Sequence, residues 1–318
     1  MPGMFQPFTA ARCVLIAFIF TIASLGHCQT PVDSSGTILV GGIKQFVSIK
    51  GRDNRNPLLL FLHGGPGNSV ISYAEKFTQK LQEHFVVVQW DQRNAGKTLS
   101  INKSTRPLAV TLFKNDTHQI IDSLLTRFRQ SKLYLAGHSW GTVLGFYMAK
   151  NFPEKLHAYI SICPMINQLE SERTALQLME ERASEAGNDK ALQELSQVKV
   201  PFENGKQLYI HRKWVLSYMG SKAKITEKQV EDWSQSWLQI FNEASRENLF
   251  ESAASIRCPV YLFIGRKDVQ TNSKLAEKYF HILEAPQKEL YWFELSGHSL
   301  PTTEPELLQT RIIALKHK

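Results

Sequence analysis

The stretch LYLAGHSWGTVLGFYMAK, Leu133 to Lys150, begins as an apolar run, turns through Gly137 and Gly141, and continues with helical spacing. A short apolar run, a glycine bend and a helix together form the strand-turn-helix unit of an α/β architecture. One serine, Ser139, sits at the bend between His138 and Trp140. Such a bend lifts a hydroxyl to the carboxyl end of a parallel sheet, where ligands bind. The segment GHSWG, Gly137 to Gly141, matches the G-x-S-x-G elbow in the strand-to-helix context that the motif requires.

Outward from this unit, further short apolar runs lack strict alternation and suit strands covered on both faces. These are LLLFL (Leu58 to Leu62), FVVVQW (Phe85 to Trp90), AYISIC (Ala158 to Cys163), VYLFIG (Val260 to Gly265) and ELYWFEL (Glu289 to Leu295). Helical spacing occupies Ser72 to Glu83, Leu112 to Phe128, Val143 to Asn151 and Ser273 to His281. The alternation predicts a mostly parallel sheet with helices on both faces, preceded by an antiparallel hairpin in GTILVGGIKQFVSIKG. Between Pro164 and about Ser255 the pattern breaks into charged and Trp-containing helical segments, read as a cap inserted between two strands. The expected division is a core over 29–163, a helical cap over 164–255 and a second core portion over 256–318. Trp233 and Trp237, one helical turn apart, read first as packing residues of that cap.

A serine hydroxyl is a poor nucleophile until a base removes its proton, and the base needs an orienting carboxylate. Both occur after Ser139 in the order serine, acid, histidine: Asp268 just beyond VYLFIG, and His298 in the loop after LYWFEL. Neighbouring strand ends would bring the two side chains together at Ser139. Acyl transfer also places negative charge on the substrate oxygen, which preorganised N–H donors must meet. The amide of Trp140 is one expected donor; Gly65 of HGGPGNS is the other, with Gly64 as the fallback. His63 reads as a structural hydrogen-bonding residue.

HGGPG, VVQWDQRNAGKT, GHSWGT, GRKD and SGH, in this order, resemble the alpha/beta hydrolase superfamily, and within it the prolyl aminopeptidase (proline iminopeptidase) group of serine peptidases. The resemblance implies an eight-stranded, mostly parallel sheet with a helical cap and the catalytic roles given above. Asn94 stands where that group usually has the glycine of D-Q-R-G; Asn also tolerates left-handed backbone geometry. Asp91 and Arg93 are expected to be scaffold residues.

The resemblance implies removal of an N-terminal residue from a short peptide, with carboxylesterase action on small esters as the alternative and a non-catalytic binding protein of the same fold as a third reading. An aminopeptidase must hold a free ammonium, which favours carboxylates projecting from the cap; Glu170, Glu172, Glu180, Glu181 and Glu203 are available, with no substrate-binding motif among them. A serine nucleophile argues against dehalogenase and epoxide hydrolase chemistry, which uses Asp in this fold. No cofactor is implied, and neither CxxC nor HExxH supports a metal site.

The bulk numbers suit a soluble globular chain of 318 residues, 43% hydrophobic and 21% charged. The net charge of +8 is scattered, which gives nucleic-acid binding little support. Residues 1–28 carry Arg12, an apolar segment from Cys13 to Leu25, then small and polar residues, the layout of a signal peptide cleaved after Cys28. The expectation is an exported protein, periplasmic or secreted, with no stable membrane span once the signal is removed. An uncleaved membrane anchor is the alternative, and a lipoprotein box at Cys28 is disfavoured by the bulk of His27. Cys163 and Cys258 read first as buried, unpaired thiols, with a disulfide between them as the alternative that an exported location permits.

Overall fold

The computed structural model describes residues 3, 29–102, 107–221 and 224–316. The leader reading over 1–28 therefore falls, Gly3 apart, outside the described residues. Among those residues no helix is long and apolar enough to cross a membrane.

Eight strands form one sheet: β1 (Val32–Val40), β2 (Ile43–Gly51), β3 (Leu58–Leu62), β4 (Val86–Trp90), β5 (Leu133–His138), β6 (Leu156–Ile162), β7 (Val260–Gly265) and β8 (Lys288–Phe293). Their order is β1-β2-β4-β3-β5-β6-β7-β8. β1 and β2 make the expected hairpin and join β4 antiparallel, while every pairing from β4 to β8 is parallel. The chain order reverses direction around β3 and β5, so the carboxyl ends of these central strands open a crevice.

The apolar runs are continuous because both faces of the sheet are covered. In β3, Leu58, Leu60 and Leu62 face one core and Leu59 and Phe61 the other; Val260, Leu262 and Ile264 of β7 alternate with Tyr261 and Phe263 in the same way. The first core includes residues of the helices Val110–Phe128, Trp140–Asn151 and Ser273–Ile282, and the second those of Pro305–Leu315. The expected helix over Ser72 to Glu83 is split into a helical turn, Glu75–Thr78, and a 3₁₀ turn, Lys80–Glu83.

Between β6 and β7 the chain leaves the sheet for the helices Gln168–Glu185, Asp189–Leu195, Gly205–Tyr218, Glu227–Ser245 and Leu249–Ser252. Asn167, Asn188, Asn204, Thr226 and Asn248 cap their N-termini by accepting backbone N–H groups that the helices leave unpaired. Asn167 and Asn248 also form an antiparallel bridge where the insertion leaves and rejoins the core. The insertion has a small apolar cluster of its own, built on Ala175, Met179, Leu195 and Val215. Limits of 164–255 are our proposed bounds for this cap.

Candidate active site

The bend after β5 is tight because three glycines remove side chains from the contact between strand and helix. A Cβ at Gly137 would lie 2.6 Å from the Gly141 carbonyl oxygen, one at Gly141 2.2 Å from that of Leu62, and one at Gly145 2.2 Å from the Tyr159 ring. Ser139 takes φ 53° and ψ −120°, a conformation that costs a non-glycine residue roughly 1–3 kcal/mol. In return its hydroxyl stands at the N-terminus of the helix Trp140–Asn151, where the aligned peptide dipoles favour negative charge.

The structure brings Ser139, His298 and Asp268 into one line. Ser139 Oγ lies 3.0 Å from His298 Nε2, and His298 Nδ1 lies 2.9 Å from Asp268 Oδ2. Asp268 Oδ1 accepts from the N–H groups of Gln270 and Thr271, at 2.9 and 3.0 Å. Thr271 Oγ1 is 2.8 Å from Asp268 Oδ2. Burial by itself would raise the Asp268 pKa, yet His298 and these donors hold it down to about 2. An ionised Asp268 accepts the His298 Nδ1–H and leaves Nε2 free to accept from Ser139.

His138 does not join that line. Its Nε2–H donates to the His298 carbonyl oxygen at 2.9 Å, and burial, followed by the nearby His298, pushes its pKa down to about 4. His63 is likewise internal: its Nδ1–H donates to the Gly64 carbonyl and its Nε2 accepts from the Gln92 N–H. Donor atoms of His138, Cys163 and His298 lie within 4.8 Å of one another. Seating a metal there would take His298 from its partners and strip a proton that burial holds firmly on Cys163. Cys163 and Cys258 are both free and buried.

Trp140 is the first residue of its helix, where an N–H has no intrahelical acceptor. Its ring is fixed by a bond from Nε1 to Gln92 Oε1 at 3.0 Å and an edge-to-face contact with Phe113. Gly65 borders the cavity that contains Ser139, at φ +122° and with no room for a Cβ beside Gly67 and Asn68. Gly64 abuts Ser139 instead: its Cβ would lie 3.2 Å from the serine Cβ. Farther back, Arg93 pairs with Asp116, both buried, and also donates to the Gly41 carbonyl. Asp91 accepts from the Lys97 N–H, and Asn94 has φ +56°.

A cavity of about 510 Å³ lies over Ser139 between core and cap. Met165, Leu208, Leu216, Val230, Trp233 and Phe241 supply apolar wall; Gln168, Arg212 and Lys224 add polar groups that the sequence alone did not mark. Trp233 lines this cavity while its Nε1 donates to the Pro66 carbonyl, whereas Trp237 is buried against Phe113. Glu170, Glu172, Glu180, Glu181 and Glu203 do not border it. Glu172 is the buried one, locked to Arg212; Glu181 faces a separate cavity of about 660 Å³ on whose rim Ser139 does not appear. The signal for Arg212 was absent from the local sequence because its partner lies 40 residues away.

A family model described as the alpha/beta hydrolase fold matches residues 57–305. The "Probable aminopeptidase YbaC" of Bacillus subtilis (strain 168) is 33% identical over 291 residues, covering 84% of this chain and 91% of that protein. A proline iminopeptidase of Heyndrickxia coagulans is 24% identical across 84% of this chain and 93% of its own. The crystal structure of a proline iminopeptidase-related protein from Thermus thermophilus superposes with a TM-score of 0.61 at 22% identity, covering 90% of this chain and 98% of that one, a likeness of fold. With this sheet, this elbow and these relatives, the chain belongs to the alpha/beta hydrolase family and is a hydrolase.

Proposed function

We propose that the chain is a serine hydrolase that cleaves a carbonyl substrate through a covalent acyl-enzyme. The observation that carries this reading is the continuous hydrogen-bonded line from Ser139 Oγ through His298 to Asp268, ending in a cavity. His298 Nε2 takes the hydroxyl proton as Oγ attacks the carbonyl carbon, and Asp268 stabilises the imidazolium that results. The N–H groups of Trp140 and Gly65 meet the developing oxyanion, with Gly64 in reserve. The leaving amine or alcohol departs with the proton from His298. Water then attacks the acyl-enzyme by the same route, returning Ser139 to its hydroxyl form.

Removal of an N-terminal residue from a short peptide is supported by the aminopeptidase-type relatives. Carboxylesterase action is favoured by a different observation: among the described residues no carboxylate borders the cavity over Ser139 to receive a free ammonium. Prolyl and alanyl p-nitroanilides assayed beside p-nitrophenyl butyrate, with the parent and Ser139→Ala, separate these readings. Turnover of the anilides supports the peptidase, and ester turnover alone the esterase. Equal turnover by Ser139→Ala removes the nucleophile from both.

A further inference from the structure

The cavity over Ser139 carries a charge that the acyl-transfer residues do not explain. Among the described residues lining it, the charged ones are Arg212 and Lys224. Arg212 Nη1 donates to Glu172 Oε2 at 2.6 Å and to His211 Nδ1 at 2.9 Å, while Nη2 donates to Glu172 Oε1 at 2.5 Å. A guanidinium has five N–H groups, so the Nε–H and one Nη2–H have no acceptor among the described residues. Glu172 is 1% exposed and lies behind Arg212; it cancels that charge without consuming those donors. Lys224 is exposed and has no ion pair among the described residues, which leaves the cavity with a net positive charge.

Gln168 supplies the complementary clue. Its Nε2 donates to Glu172 Oε1 at 2.7 Å and to the Gln270 carbonyl at 2.8 Å, so the amide orientation is fixed by two acceptors. Its Oε1 is buried without a donor, on a residue that is 2% exposed and borders the cavity. A buried acceptor in that state is costly until something donates to it. The Gln270 that Gln168 touches donates its own N–H to Asp268, which places this acceptor close to the reacting centre.

We propose that the substrate is an anion: an ester or amide whose carboxylate is held by Arg212 and Lys224, with an adjacent N–H or O–H donating to Gln168 Oε1. This inference rests on the acyl-hydrolase reading and narrows it. An amide N–H beside a carboxylate occurs in N-acyl amino acids and at the free C-terminus of short peptides, and the apolar wall suits the remainder of either. A free ammonium in the same place meets the Lys224 ammonium and the Arg212 N–H donors, with no carboxylate among the described residues lining the cavity.

The test uses the full chain turning over p-nitrophenyl butyrate, with N-acetylleucine, N-acetylleucinamide and leucinamide as competitors. N-acetylleucine is expected to inhibit about tenfold more tightly than its amide, the usual worth of one charge-assisted contact, with leucinamide weakest. Lys224→Glu should shrink the acid-to-amide ratio severalfold, and so should the charge-neutral exchange of Glu172→Gln together with Arg212→Gln. A carboxylate docked only on the oxyanion donors would ignore both changes. Leucinamide binding as tightly as N-acetylleucine, or a ratio indifferent to both variants, overturns the proposal while Ser139-dependent ester turnover leaves the acyl-hydrolase reading intact. No Ser139-dependent turnover of the ester, seen before any competitor is added, defeats the two together.

Discussion

Ser139 holds a backbone conformation that few side chains adopt, and the surrounding contacts keep it there: its own N–H donates to the Ile162 carbonyl at 3.0 Å, and its carbonyl accepts from Thr142. The strain is sustained because it aims Oγ at His298. Asp268→Asn keeps the shape and removes the charge, so Asn either donates to Nδ1 or leaves His298 in the wrong tautomer. We expect kcat to fall by about 10⁴-fold, the loss seen when a carboxylate in this role is replaced by its amide. His298→Ala should cost roughly a hundredfold to ten-thousandfold, the contribution of general-base help. Steady-state assays on p-nitrophenyl butyrate, with circular dichroism to establish folding, read both. A change below fivefold in either variant would remove that residue from the chemistry.

The elbow was legible at the level of elements because glycine is demanded at fixed places. Gly137, Gly141 and Gly145 recur every fourth residue, and each faces an atom closer than a Cβ tolerates. Gly145→Val should destabilise by about 1–3 kcal/mol through overpacking against Tyr159, read as a lower urea midpoint. The strands were legible because two covered faces demand unbroken apolar runs, and Val260–Gly265 has the expected bounds. Other features were less visible. Gly96–Ile101 is only 6 residues long and has one buried residue, Thr98, so it carries no apolar stripe. Pro305–Leu315 has Pro at its first position followed by buried Leu308, Ile312 and Leu315, a helical signal that carries no chemical motif. The cap's cavity-lining Arg212 was illegible for a different reason. Glu172 resembled any helical glutamate until the fold set Arg212 and His211 against it.

Across the whole molecule, two largely buried ion pairs stand out among the described residues, Arg93 with Asp116 and Arg212 with Glu172. Arg93→Met strands the Asp116 carboxylate at 0% exposure and should cost about 3–5 kcal/mol, with much of that recovered by adding Asp116→Leu. Chemical denaturation of the single and double variants checks the pair. Protons add a second dependence. Burial holds His138 and His211 at about 4 against 6.5 for a free side chain. The unfolded chain therefore binds protons below 6.5 that the folded chain refuses, and stability falls as pH drops from about 6.5 towards 4. His211→Gln should flatten that slope relative to the parent when urea midpoints are compared across this window. A parent midpoint that rises on acidification would contradict the assignment of neutral buried imidazoles.

The central claim is that one hydroxyl, activated through His298, receives the acyl group. Labelling with a fluorophosphonate, followed by intact-mass and peptide mass spectrometry, tests it most directly. The account predicts a single adduct on Ser139, absent in Ser139→Ala and strongly slowed in His298→Ala. An adduct on another residue, or labelling of Ser139→Ala at the parent rate, would contradict it.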